Sequence, residues 1–237
     1  RGMPTVRWSR LGRAMWPSMV MKRPSTSPTA PAFSSAFFEA GIGPVPMIAG
    51  STPAVAEETI PGGWVVVAGS LPADMDTSII ARLAQVARDA GASFALDASG
   101  AALADGLAAQ PDLIKPNDEE LGEILGRELT TFDEVLEGCR EARRRGARAV
   151  ICSLGADGAV LVDDDGVWRV KGARVPVLST VGAGDSLLSG FLHGGGHGPQ
   201  ALRAGVAWAT AAVQTPGTGV PPAELIDLDA VEVSAIE

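Results

Sequence analysis

The stretch Leu178–Leu192, LSTVGAGDSLLSGFL, decides how the chain is read. Gly182-Ala183-Gly184 runs straight into apolar residues at Leu187, Leu188, Phe191 and Leu192, the spacing of one buried helix face. Small residues ahead of a helix let backbone N–H groups converge on one spot. The first-turn amides have no intrahelical partner and lie at the positive end of the macrodipole, so an anion such as phosphate is favoured there. Asp185 stands at that start, placed to take a proton from an attacking hydroxyl. An anion cradle beside a base is the apparatus of phosphoryl transfer. The same residues also read as a glycine turn into a helix, with Asp185 a dipole-matched cap.

Two other phosphate-binding patterns do not fit. A dinucleotide fingerprint needs a third glycine where Leu187 stands and an acidic residue about twenty positions on. Between Asp185 and Glu224 there is none. A P-loop needs Gly-Lys-Ser/Thr, and no lysine follows Lys171.

STVGAGDSLLSGF closely resembles the C-terminal signature of the PfkB/ribokinase family of sugar kinases, D/N-T-x-G-A-G-D. The resemblance implies that Asp185 is the catalytic base and that Gly182, Ala183 and Gly184 supply the anion hole.

The bulk properties agree with one globular domain. The 237 residues are enough for one sizeable α/β core, and 46% hydrophobic with 20% charged content is globular. A net charge of −9 argues against a general nucleic-acid binder. The charge is uneven: residues 1–38 hold six basic groups and no acidic one. The other 199 hold thirteen basic against 28 acidic groups, a net −15. Cys139 and Cys152 have no metal-ligand or disulfide-framework spacing and read as buried thiols of a cytoplasmic protein. No apolar run reaches the roughly 18 residues of a membrane span. His193 and His197 flank three glycines that disfavour a shared helix face, so a metal site is not expected there.

Residues 1–36 read as an irregular basic leader outside the fold, with prolines at 4, 17, 24, 28 and 31. A non-native or out-of-frame leader suits them better than a transit peptide, which Trp8 and Trp16 disfavour. Residues 37–237 are the expected kinase domain. Phe37–Gly41 suggests a helix end. Trp64–Ala68 is a buried parallel strand that breaks at Gly69-Ser70-Leu71-Pro72, the kind of turn where ligands sit in open sheets.

Helices are expected at Thr77–Gly91 (stripe Ile79, Ile80, Leu83, Val86), Ala101–Ala109, Asp118–Leu125, Thr131–Gly146 and Pro199–Gln214. Strands are expected at Ser93–Asp97, Asp112–Lys115 and Ala149–Ser153, with a hairpin across the Asp-Asp-Asp-Gly turn after Ala159–Val162. Strand–helix alternation means parallel pairing and an α/β/α sandwich. The resemblance specifies it as a ribokinase-like three-layer fold with a mostly parallel sheet, its N-terminal strands and lid incomplete.

Two more motifs carry chemistry by resemblance. In KPNDEEL, Asn117 is an N-cap with Glu120 three residues on, a capping-box spacing. The family's K-P-N-x-x-E motif implies that Asn117 and Glu120 help hold Mg²⁺–ATP through water. Ser153-Leu154-Gly155-Ala156-Asp157-Gly158 is locally a strand end and a glycine turn. In the family it lines the ATP site, so Ser153, Leu154, Gly155, Ala156, Asp157 and Gly158, with Asn117 and Gly184, are the nucleotide-binding residues implied. The PGTG loop at 216–219 and the carbonyls of Ser179 and Val181 correspond to a monovalent-cation site for K⁺.

The wording GSLP, DASGAAL, KPNDEEL, SLGADGAVLV and TPGTG sits closest to the branch holding 1-phosphofructokinase and tagatose-6-phosphate kinase. ATP, Mg²⁺ and a sugar phosphate are the implied partners. A homodimer is implied less firmly, because the lid has no counterpart. The family's G-G-K-G-x-N segment and its substrate-binding Asp do not occur in this sequence. Weak or no sugar kinase activity is therefore expected from the chain alone, since orientation supplies roughly 7–11 kcal/mol of such a barrier. The alternatives are a catalytically inactive nucleotide-binding remnant and a kinase of a free sugar or nucleoside.

Overall fold

The computed structural model describes residues 18–21, 55–56, 59, 61–71, 75–217 and 220–236. They belong to two units, with the boundary between Val150 and Ile151.

In the first unit, β1 (Ser18–Met21) pairs antiparallel with β2 (Trp64–Ala68). It lies inside the stretch expected to stand outside the fold. The rest of 1–36, and the helix end expected at 37–41, lie outside the described residues. Then β2, β3 (Ser93–Asp97), β4 (Leu113–Ile114) and the start of β5 (Ala149–Ser153) pair in parallel in chain order. Val65, Val66, Val67, Phe94, Ala95, Leu96, Leu113 and Ile114 are all buried. Consecutive burial rather than alternation is what a sheet covered on both faces requires.

Helices α1 (Ser78–Asp89), α2 (Gly100–Gly106), α3 (Asp118–Leu125) and α4 (Phe132–Arg144) supply the connections. Along α1 the buried stripe is Ile79, Ile80, Leu83, Ala84 and Ala87, and Val86, expected in it, is only half-buried. The helix stops at Gly91 as expected. Gly91 takes φ +67, its N–H donates to the Arg88 carbonyl (3.0 Å), and the Ala92 N–H donates to the Ala87 carbonyl (2.8 Å). That closing pattern needs a left-handed residue, which glycine supplies without a Cβ penalty.

Helix α4 opens on a capping box. Thr131 Oγ1 accepts from the Glu134 N–H (3.3 Å), and Glu134 Oε2 accepts from the Thr131 N–H (2.9 Å). The Thr130 N–H and hydroxyl also donate to Glu134 (2.8 and 2.9 Å). These bonds, led by the Thr130 N–H, hold the carboxyl down at about 2. At the other end Arg144 pairs with Glu137 (2.7 Å), and the Arg145 guanidinium donates to the Ile124 carbonyl (2.6 Å). The arginine run is thus a solvated, paired face.

The second unit holds the end of β5, the antiparallel strands β6 (Ala159–Val162), β7 (Val167–Lys171) and β8 (Glu232–Ala235), and helices α5 (Ala183–His193) and α6 (Gly198–Val213). The triple-aspartate turn is a hairpin tip, as its sequence predicts. Asp163 Oδ1 accepts from the Asp165 and Gly166 N–H groups (3.0 and 3.1 Å), and Oδ2 from the Gly198 N–H (3.3 Å). Leu187, Leu188, Phe191 and Leu192 are buried, the face their spacing marks.

Helices α5 and α6 touch through their backbones. A Cβ on Gly190 would lie 2.8 Å from the Ala204 carbonyl oxygen, and one on Gly205 2.7 Å from that of Leu187. No real Cβ tolerates such distances, so the two glycines let the axes approach closely. Residues 218–219 of the expected PGTG loop lie outside the described residues.

Candidate active site

The glycine turn before α5 lies in the second unit. Gly182 takes φ +82 and ψ −1, is the N-cap residue, and has no atom within 4 Å of where a Cβ would stand. This left-handed step turns the chain into the helix. The Ser186 N–H then makes the first helical bond to the Gly182 carbonyl (2.9 Å), and the Ala183 N–H donates to the Thr180 carbonyl at a long 3.3 Å. The Gly182 and Gly184 N–H groups have no protein acceptor among the described residues. Asp185 occupies the third helical position with its side chain exposed. Donors at a dipole's positive end beside an exposed carboxylate can receive an anion and accept a proton.

The segment leading into the turn is tied down. The Leu178 and Ser179 N–H groups both donate to the Val213 carbonyl (2.7 and 3.3 Å), and the Val181 N–H donates to Ser179 Oγ (3.2 Å). Val177, Leu178 and Val181 are apolar yet more than half exposed.

The turn after β5 is likewise exposed at its tip. Leu154 and Gly158 close it with an N–H to carbonyl bond (2.8 Å), and Gly155, Ala156 and Asp157 face solvent in one 3₁₀ turn. Gly155 (φ +56) has open space where a Cβ would be, whereas a Cβ on Gly158 (φ +87) would overlap the Val170 carbonyl. Ser153 is half-buried at the end of β5.

In the first unit, Asn117 and Glu120 form the expected reciprocal cap. Asn117 Oδ1 accepts from the Glu120 N–H (2.7 Å), and Glu120 Oε2 accepts from the Asn117 N–H (2.9 Å). Both are half-buried. One Glu120 oxygen is spent on the cap and one remains. That suits Mg²⁺, which keeps most of its water shell and takes few protein oxygens directly. Among the described residues no three His, Cys, Asp or Glu side chains gather as a metal cluster.

One pair was not foreseen from the sequence. Lys115 Nζ lies 3.0 Å from Asp97 Oδ1, with both side chains largely buried. The readable signal was a charge ending each of two apolar strands, SFALD and DLIK.

The pattern of the pfkB family carbohydrate kinases matches residues 56–224. The chain belongs to that family. Among the relatives of this pfkB-family chain is the 1-phosphofructokinase of Rhodobacter capsulatus, 42% identical over 164 residues. That match covers 68% of this chain and 52% of the relative. The 1-phosphofructokinase of Haemophilus influenzae is 36% identical over 180 residues, covering 73% and 57%. The chain thus spans about half the length of the curated relatives it matches. Among solved structures, phosphofructokinase-2 from Escherichia coli in complex with potassium aligns with TM-score 0.68 and 33% identity. It covers 74% of this chain and 58% of the other. The ribokinase-like α/β fold of these kinases is the one expected. No helix among the described residues is long and apolar enough to cross a membrane.

Proposed function

We propose that this chain takes part in ATP-dependent phosphoryl transfer to a hydroxyl of a sugar phosphate, a reading supported by its relatives named 1-phosphofructokinase. The observation that carries the reading is the turn into α5: Gly182 in the left-handed region, acceptor-less N–H groups on Gly182 and Gly184, and exposed Asp185 one turn along.

Asp185 accepts the proton of the attacking sugar hydroxyl, a role worth about 10²–10⁴-fold. The amides of Gly182, Ala183 and Gly184 offset charge on the phosphoryl oxygens in transfer. The Ser153–Gly158 turn binds the nucleotide. Asn117 and Glu120 hold the water shell of Mg²⁺, whose chemistry is to neutralise phosphate charge. Ser179 and Val181 carbonyls take a monovalent cation, a reading supported by the potassium complex of the E. coli kinase. A cytoplasmic location and a homodimer belong to the same proposal.

The test is equilibrium binding of ATP alongside phosphate transfer to fructose 1-phosphate, tagatose 6-phosphate and ribose. Transfer to a phosphorylated ketose supports the proposal. Binding without transfer to any acceptor replaces it with a nucleotide-binding role, and transfer to ribose alone reassigns the acceptor.

A further inference from the structure

We propose that the outer edge of β2 is a strand-docking surface of the first unit, which β1 keeps closed and which a second copy of this chain occupies once β1 leaves. The kinase reading above is not needed for it.

The backbone fixes which groups lie on that edge. The Gly69 N–H donates to the Asp97 carbonyl (2.8 Å), and the Gly63 carbonyl accepts from the Ser93 N–H (2.9 Å), both toward β3. Backbone groups of successive strand residues point to opposite sides, so Val65 and Val67 also serve β3. Trp64, Val66 and Ala68 turn their N–H and C=O groups the other way. There β1 meets them, with Met19 opposite Val66 and Met21 opposite Trp64. Ser18 and Val20 stand opposite Val67 and Val65, so their own N–H and C=O groups point away from β2.

The sequence of β2 makes this an edge that needs a cover. WVVVA has three consecutive β-branched residues, no charge and no proline. The side chains of Trp64, Val65, Val66 and Val67 are buried, so a partner reaches the edge and not a face. An uncovered apolar edge of this kind is a template for pairing with another chain. The sequence around β1 carries the opposite signals. Pro17 precedes it and Lys22-Arg23-Pro24 follows it, and prolines and cations beside a strand discourage further pairing. Among the described strands β1 is the last on that side.

A second copy fits the edge that β1 covers. With four residues, and with residues 22–63 between it and β2, β1 is a small element that opens locally while the parallel strands stay folded. Two β2 edges then pair antiparallel about a twofold axis. Val66 lies opposite its own copy and Trp64 opposite Ala68, so each edge supplies the groups the other lacks. That arrangement is closed and self-complementary.

The test is a pair of prolines one position apart in the full chain. Met19→Pro removes an N–H that faces Val66. Val20→Pro removes one that faces away, where an edge strand tolerates proline. Amide exchange is followed by NMR at the lowest working concentration, with Val65 and Val67 as the internal reference for the β3 side. Light scattering after size exclusion covers a concentration series, with melting in parallel.

The expected result for Met19→Pro is about tenfold or more faster exchange at Val66, with Val65 and Val67 unchanged. The same variant should assemble beyond the wild-type state as concentration rises, and Val20→Pro should match wild type in every reading. Faster exchange at Val66 without added assembly overturns the second copy as occupant. Equal behaviour of the two variants, whether both intact or both disrupted, overturns β1 as the cover. Unfolding of Met19→Pro overturns it too, since a cover can leave without unfolding the sheet beneath it.

Discussion

Gly205 of α6 sits so close to Leu187 of α5 that a Cβ on it would stand 2.7 Å from the Leu187 carbonyl oxygen and 3.3 Å from the Phe191 nitrogen. Leu187 is two residues past Asp185, so this contact sets the helix that carries the proposed base. The obstacle to a larger residue is backbone, which cannot rotate aside. Gly205→Ala should cost about 1–3 kcal/mol, the usual range for overpacking, and lower the melting temperature. It should also reduce turnover more than ATP affinity, because small misplacements are felt mainly in the transition state. Kinetics and calorimetry on the folded variant check both parts.

Two glycines in one turn should respond differently. Gly155 and Gly158 both have positive φ, but only Gly158 would drive a Cβ into the Val170 carbonyl. Gly155→Ala should cost about 1 kcal/mol from left-handed strain alone. Gly158→Ala should cost clearly more, visible as a lower denaturation midpoint with unchanged slope.

Asn117 and Glu120 have a structural duty in the cap, so a loss of function there needs a control. Asn117→Ala should remove about 1 kcal/mol of stability, whereas Asn117→Asp keeps a capping acceptor and should stay near wild type. If Asn117 also serves Mg²⁺–ATP, its Ala variant will need more Mg²⁺ for half-maximal ATP binding. An unchanged Mg²⁺ requirement would leave it a cap.

His193 gives the second unit a pH dependence. It is half-buried at the end of α5, its ring centroid 5.5 Å from that of Trp208, and burial lowers its pKa below the ordinary 6.5. The unfolded chain therefore takes up a proton at a higher pH than the folded one. Stability should be full above about 6.5 and fall as pH drops below it, toward the depressed folded value. His193→Gln should flatten that part of the melting profile; an unaltered profile would remove His193 from the account.

Much of this was legible in advance because the signals were local. The glycine turn, the α5 stripe, the Gly91 stop, the 117–120 box and the hairpin at 163–166 each depend on residues within one turn of one another. The ends of α1 and α4 fell inside the expected spans because helix termini are set by individual cap bonds rather than by periodicity. The Asp97–Lys115 pair was not legible. It joins neighbouring strands 18 positions apart, and only strand register brings the two charges together. The α5–α6 backbone contact was foreshadowed by small residues, but its reciprocity between Gly190 and Gly205 is a matter of helix crossing.

The most direct measurement is transfer of the γ-phosphate of ATP to fructose 1-phosphate under single-turnover conditions by wild type and Asp185→Asn, with ATP affinity measured on both. The account predicts slow but measurable transfer by wild type, a loss of about 10²-fold or more in the variant, and ATP affinity within twofold. Equal transfer rates in the two proteins would contradict it.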